Sequence, residues 1–158
     1  MDQMDKPWKY TAVRAVLAAA TFTYLPFVLP VAGAPHWSAP WWPTTDGQDA
    51  MAFTIIVTLA LWADAWFLLP WLSRRKLRSS RTGNTNGFKN AALGSFLARA
   101  ALLYGGAPAG AGLSFKVRDS RYAIIFATAS ALLILLLPKP KGAVELVAAD
   151  NPAAGTSV

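Results

Sequence analysis

Asp64 and Arg99 each interrupt a long apolar stretch, and a charge in such a place has to be matched by something. Near the centre of a membrane-spanning helix either one alone costs about 2.5–3.5 kcal/mol. Asp64 lies nine residues before Ser73, and Arg99 lies nine residues after Asn90. If the two stretches run antiparallel, both side chains sit about 13–14 Å from the same boundary. The spacing therefore predicts a charge-assisted Asp64–Arg99 pair across two adjacent helices. Such a pair fixes the register and rotation of the helices. Alternatively it serves as a proton or ion relay, or Arg99 receives an anionic substrate. The pair is neutral as a unit, and no further acid or histidine lies in an apolar stretch to extend a relay, which favours the structural role.

The rest of the chain offers little chemistry. There are no cysteines, so a disulfide framework, a thiolate metal site and a redox pair are all excluded. The single histidine, His36, shares a segment with Asp46 and Asp49 at spacings that match no metal motif. A Ser-His-Asp triad and histidine-ligated haem lack residues to build them. Enzymatic chemistry would rest on Asp64, Arg99 and Tyr104 alone, so no catalytic residue, no metal and no cofactor is expected.

The elements that must carry these residues follow from composition. Of 158 residues 54% are hydrophobic and only 15% charged, with a mean hydropathy of +0.34. A soluble domain carries about a quarter charged residues. Four apolar stretches, 15–33, 50–72, 91–115 and 122–137, read as transmembrane helices. The last is short at 16 residues, about 24 Å of helix. Strand-like alternation is absent. The expected fold class is all-α, a multi-pass membrane protein whose four helices form an antiparallel bundle over residues 1–141. A flexible tail is expected over 142–158, where large apolar side chains become scarce.

Lysine and arginine in the short connections set the orientation. Lys6, Lys9 and Arg14 precede the first span, and none lies between 34 and 49. Arg74, Arg75, Lys76, Arg78, Arg81 and Lys89 follow the second, and Lys139 and Lys141 follow the fourth. This distribution predicts both termini on the cytoplasmic side of a plasma membrane. Lys116, Arg118 and Arg121, between the last two spans, go against it. The 74–89 loop reads first as a topogenic anchor and second as a site for anionic lipid head groups. Aromatic residues are not interleaved with its basic ones, so no nucleic-acid partner is expected. Trp8 and Trp71 at one level, and Trp37, Trp41 and Trp42 at the other, form candidate interfacial girdles. Ala32-Gly33-Ala34 has the form of a signal-peptidase site, but Pro35 follows the bond, and a retained anchor is expected.

Small residues line the helices. Gly105, Gly106, Pro108, Gly110 and Gly112 form a segment that either packs closely with a kink at Pro108 or unwinds to line a cavity. Ala123, Ala127 and Ala131 mark a small face on the fourth span, and Ala15, Ala19 and Thr23 one on the first. The glycine- and alanine-rich hairpin of the last two spans is loosely similar to that of the proton-translocating ring subunit of rotary ATPases. It departs from that family in lacking a carboxylate midway along its second helix, where Thr128 and Ser130 stand. No residue roles carry over.

These features predict a non-catalytic subunit or scaffold of a membrane assembly, in contact with lipid and with other membrane chains or further copies of itself. A small oligomeric channel or transporter using Asp64 and Arg99 is the alternative.

Overall fold

The computed structural model describes residues 7–43, 45–72 and 85–138, with backbone alone at 7–10, 45–46 and 85–92. Among the described residues every regular element is helical. Helix α1 (Pro7–Ala20) gives way to a short turn and then to α2 (Leu25–Ala32). Helix α3 (Thr45–Ala63) runs on through a widened π turn, Asp64–Leu68, to Leu72. Helix α4 (Thr85–Tyr104) is followed by α5 (Gly106–Val117) and α6 (Arg121–Leu136). Thr11–Ala32 and Gly47–Leu72 are long and apolar enough to cross a membrane, and Arg121–Leu136 is apolar but shorter.

Proline places the interruptions. Pro26 has no N–H for the Phe22 carbonyl, and its ring crowds that carbonyl. The chain answers with a tightened turn in which Thr21, Phe22 and Thr23 donate to Ala18, Ala19 and Ala20, three residues back. The hydroxyls of Thr21 and Thr23 donate to the Ala18 and Ala20 carbonyls, both at 2.7 Å. Pro108 acts in the same way on Tyr104. The break falls at Gly105, one turn before the proline, and Pro108 ends up in the first turn of α5, where its missing N–H costs nothing. Of the two outcomes open from sequence, the helix resumes at once at Gly106 and does not unwind.

Helix α6 occupies the middle of the bundle and packs against α1, α2, α4 and α5. Its buried face carries Ala123, Phe126, Ala127, Ser130, Ala131 and Ile134. An element wrapped by its neighbours presents little surface to its surroundings. The α5–α6 contact is the closest one. A Cβ built on Gly106 would meet Ser130 Oγ at 2.6 Å and the Trp62 ring at 3.0 Å. One on Gly110 would collide with Phe126 Cβ and meet the Tyr122 carbonyl at 3.0 Å. A Cβ on Gly105 would meet Leu61 Cδ1 at 3.0 Å, whereas one on Gly112 would meet nothing within 4 Å and Pro108 is exposed, so those two take no part in the seam. The alanine face expected on α6 is buried. The one expected on the first span is not: Ala15, Ala19 and Thr23 are exposed, and Ala18 and Thr21 turn inward instead.

A sharp contrast between neighbouring glycines follows. Gly110→Ala is expected to lower stability in detergent by about 1–3 kcal/mol, because Phe126 Cβ is held by backbone and cannot step aside. Gly112→Ala is expected to match or exceed the parent protein, since alanine favours helix and finds open space. Thermal unfolding followed by circular dichroism distinguishes the two.

Candidate functional site

The structure brings Arg99 to α3, but to the backbone rather than to Asp64. Arg99 Nε donates to the Ala65 carbonyl at 2.7 Å, and its guanidinium carbon lies 5.6 Å from the centre of the Trp66 ring. Asp64 is exposed and, among the described residues, its carboxylate has neither an ion-pair nor a hydrogen-bond partner. The expected Asp64–Arg99 pair does not form. Successive helical residues project about 100° apart, so a turn that shows Ala65 to α4 carries Asp64 away from it.

The reason Arg99 goes to a carbonyl lies five residues along the chain. In the π turn the Leu69 N–H reaches back to the Asp64 carbonyl. The next donor in that series, for the Ala65 carbonyl, is residue 70, and Pro70 has no N–H. Arg99 Nε supplies the missing hydrogen bond. Ala65 is fully buried among Ala18, Phe96, Ala100, Leu103 and Ile134, so its carbonyl has no water to turn to. The proline sits near the C-terminal end of the stretch and gives a readable signal. Its consequence falls on a carbonyl more than a turn away, which residue identity does not mark.

A second polar contact joins the two interrupted helices. The Tyr104 hydroxyl donates to the Tyr24 hydroxyl at 2.7 Å, with ring centroids 5.8 Å apart. Tyr24 ends the turn before α2, and Tyr104 ends α4, so the interruptions lie at the same height. Nearby, Trp62 Nε1 donates to the Leu103 carbonyl at 3.3 Å. Thr21 Oγ1 lies 3.1 Å from the Ala127 carbonyl.

Among the described residues the densest polar cluster lies at the α5–α6 corner, where Arg121 is more than the loop charge that its place between two apolar stretches suggests. Arg118 closes α5 in the left-handed conformation, φ 56°. Asp119 and Arg121 follow, 3% and 5% exposed. Arg121 Nε is 2.8 Å from Asp119 Oδ2, and the Arg121 N–H donates to Asp119 Oδ1 at 3.0 Å. The two terminal nitrogens donate to the carbonyls of His36 (2.9 Å), Ala39 (2.8 Å) and Pro40 (2.6 Å) and to the Tyr122 hydroxyl (3.0 Å). That hydroxyl in turn donates to the Trp41 carbonyl at 2.9 Å. The His36 N–H reaches Asp119 Oδ1 at 3.3 Å. One guanidinium thus ties the proline-rich 33–43 segment, which has no helix of its own, to the start of α6. The signal in the sequence was Asp two residues before Arg ahead of an apolar run, the pattern of a side chain folding back on a helix start.

The remaining candidates are less engaged. Trp37, Trp41, Trp42 and Trp71 are all exposed. Trp41 rests on Tyr122 with ring centroids 5.7 Å apart. It also roofs an apolar groove of about 230 Å³ between α3 and α6, lined by Ile55, Thr58, Leu59 and Phe126. His36 contributes only backbone atoms, and among the described residues no three metal-ligating side chains gather. The Trp8 and Lys89 side chains, Arg74, Arg75, Lys76, Arg78, Arg81 and the 142–158 tail lie outside the described residues. No family model, no curated protein and no solved structure matches the chain.

Proposed function

We propose that the chain is a four-span integral membrane protein with both termini on the cytoplasmic side, serving as a non-catalytic subunit or scaffold of a membrane assembly. The observation that carries this reading is the use made of Arg99. The deepest cation of the bundle is spent on a backbone carbonyl that Pro70 cannot serve, which is an architectural task. The other polar contacts in the spans, at Thr21, Trp62, Tyr24 and Tyr104, also join one part of the chain to another. The outward surface is made of large apolar side chains, among them Phe27, Phe53 and Phe67. Helices α4 and α5 together form the third span, with Gly105 absorbing the kink. The orientation gains support from Arg121. Its charge is matched by Asp119 inside the protein, so the 116–121 turn presents less free positive charge than its residue count implies.

A channel or transporter is the second reading, favoured by one observation. Two helices are interrupted at the same height and joined there through Tyr24 and Tyr104, as paired discontinuous helices in transporters are. Reconstitution into proteoliposomes separates the readings. The subunit reading expects no flux across a panel of ions and small solutes, and retention of a defined membrane partner during purification in native lipid. Flux abolished by Tyr104→Phe but not by loss of the partner would establish the transporter instead.

A further inference from the structure

We infer that the face of α3 bearing Asp64 is the docking surface for a membrane-spanning helix of another protein that carries a lysine or arginine at the depth of Asp64. The inference rests on the subunit reading and gives it a contact surface and a partner chemistry. Helix α3 has two faces. One, with Met51, Thr54, Thr58 and Ala65, is buried in the bundle. The other carries Phe53, Ile56, Ala60, Asp64 and Phe67, all exposed and spaced at three or four residues, the interval of a helix–helix seam. Phe53, Ile56 and Phe67 are 69%, 66% and 77% exposed, and Ala60, one turn from Asp64, lets a second backbone come near.

Asp64 says what covers this face. It stands eight residues before the end of the described helix at Leu72, about 12 Å along the axis. A carboxylate facing hydrocarbon at that depth requires a cation or a proton. Among the described residues its own chain does not supply the cation. Arg99 is drawn to the Ala65 carbonyl, and Arg14 has Nε and one terminal nitrogen buried within its own protomer. A second copy does not supply it either. A two-fold axis along the membrane normal, with α3 against α3, sets two Asp64 carboxylates at one height and near each other, and like charges repel. The complement is a different chain with a basic side chain. The π turn that begins at Asp64 belongs with this arrangement, since such turns mark functional positions in helices.

The absence of cysteine permits a clean test with the full-length chain. A donor fluorophore is placed on Ser38→Cys in the 33–43 segment, and the protein is reconstituted in phosphatidylcholine vesicles. Acceptor-labelled leucine-alanine transmembrane peptides carry lysine, leucine or aspartate at the depth of Asp64. The lysine peptide is expected to associate about tenfold more tightly than the leucine peptide. Asp64→Asn is expected to erase that difference, and Asp64→Lys to transfer the preference to the aspartate peptide. Because the exposed Asp64 carboxylate has no hydrogen-bond or ion-pair partner among the described residues, Asp64→Asn is expected to leave the thermal midpoint unchanged, which verifies the fold. Equal association of the lysine and leucine peptides, or a lysine preference that survives in Asp64→Asn, overturns the inference. The peptides transport nothing, so this result stands apart from the flux experiment that decides the subunit reading.

Discussion

Arg121→Leu is expected to destabilise the protein by about 3–5 kcal/mol, the largest effect of any single substitution considered for this bundle. The change leaves the 3%-exposed Asp119 carboxylate without its cation, takes the guanidinium donors from the carbonyls of Ala39 and Pro40, and leaves the His36 carbonyl only the Ala39 N–H. Arg121→Lys is expected to recover only a minority of this. An ammonium is a point charge on a flexible stem and cannot span three carbonyls, a carboxylate and a phenol as the guanidinium fork does. The paired change Asp119→Asn with Arg121→Leu separates the causes. It removes the orphaned charge and leaves the orphaned carbonyls, so it is expected to lie between the parent and Arg121→Leu. Thermal unfolding in mild detergent reads the stability. Limited proteolysis reads the consequence for 33–43, which is expected to become cleavable at temperatures where the helices persist, because little besides Arg121 and Tyr122 holds it.

Arg99→Met is expected to cost about 3 kcal/mol. Methionine matches the length of the apolar stem and removes the donor, so the Ala65 carbonyl is left unpaired in a closed apolar cluster. Arg99→Lys is expected to cost less, since an ammonium still donates. The direction separates this role from an electrostatic one. Were Arg99 the counter-ion of Asp64, neutralising Asp64 would hurt as much as neutralising Arg99. With the carboxylate exposed and without a partner among the described residues, Asp64→Asn is expected to be close to silent in stability.

The helical character and two of the four expected apolar rods, at Thr11–Ala32 and Gly47–Leu72, were legible in the sequence because both depend on composition over windows of about 20 residues. Chain breaks were legible where proline or glycine marked them, although Pro108 acts on the carbonyl four residues before it and so shifts the break to Gly105. The antiparallel approach of α3 and α4 at the height of Arg99 followed from counting residues, and the structure has it. The partner did not follow. Counting fixes height along a helix but not rotation about it, and a span that is apolar all round gives no periodicity from which to read rotation. A quarter turn decides between Asp64 and Ala65. The Arg121 cluster was hidden for a different reason. Its acceptors are backbone carbonyls, at 36, 39 and 40, and a carbonyl leaves no trace in residue identity. The burial of Ala18 and Thr21 in place of Ala15 and Ala19 is again a matter of rotation, on a helix whose faces differ little in composition.

Arg99 stands in for the N–H that Pro70 lacks. A double-mutant cycle in Arg99→Met and Pro70→Ala tests it most directly. Alanine at 70 restores a donor and lets the π turn relax toward regular α-helix, so that the Ala65 and Trp66 carbonyls are served from within α3. The account predicts that Arg99→Met costs about 3 kcal/mol in the parent and less than about 1 kcal/mol in the Pro70→Ala background. An equal cost in both backgrounds would contradict it, and would mean that Arg99 answers to something other than the backbone of α3.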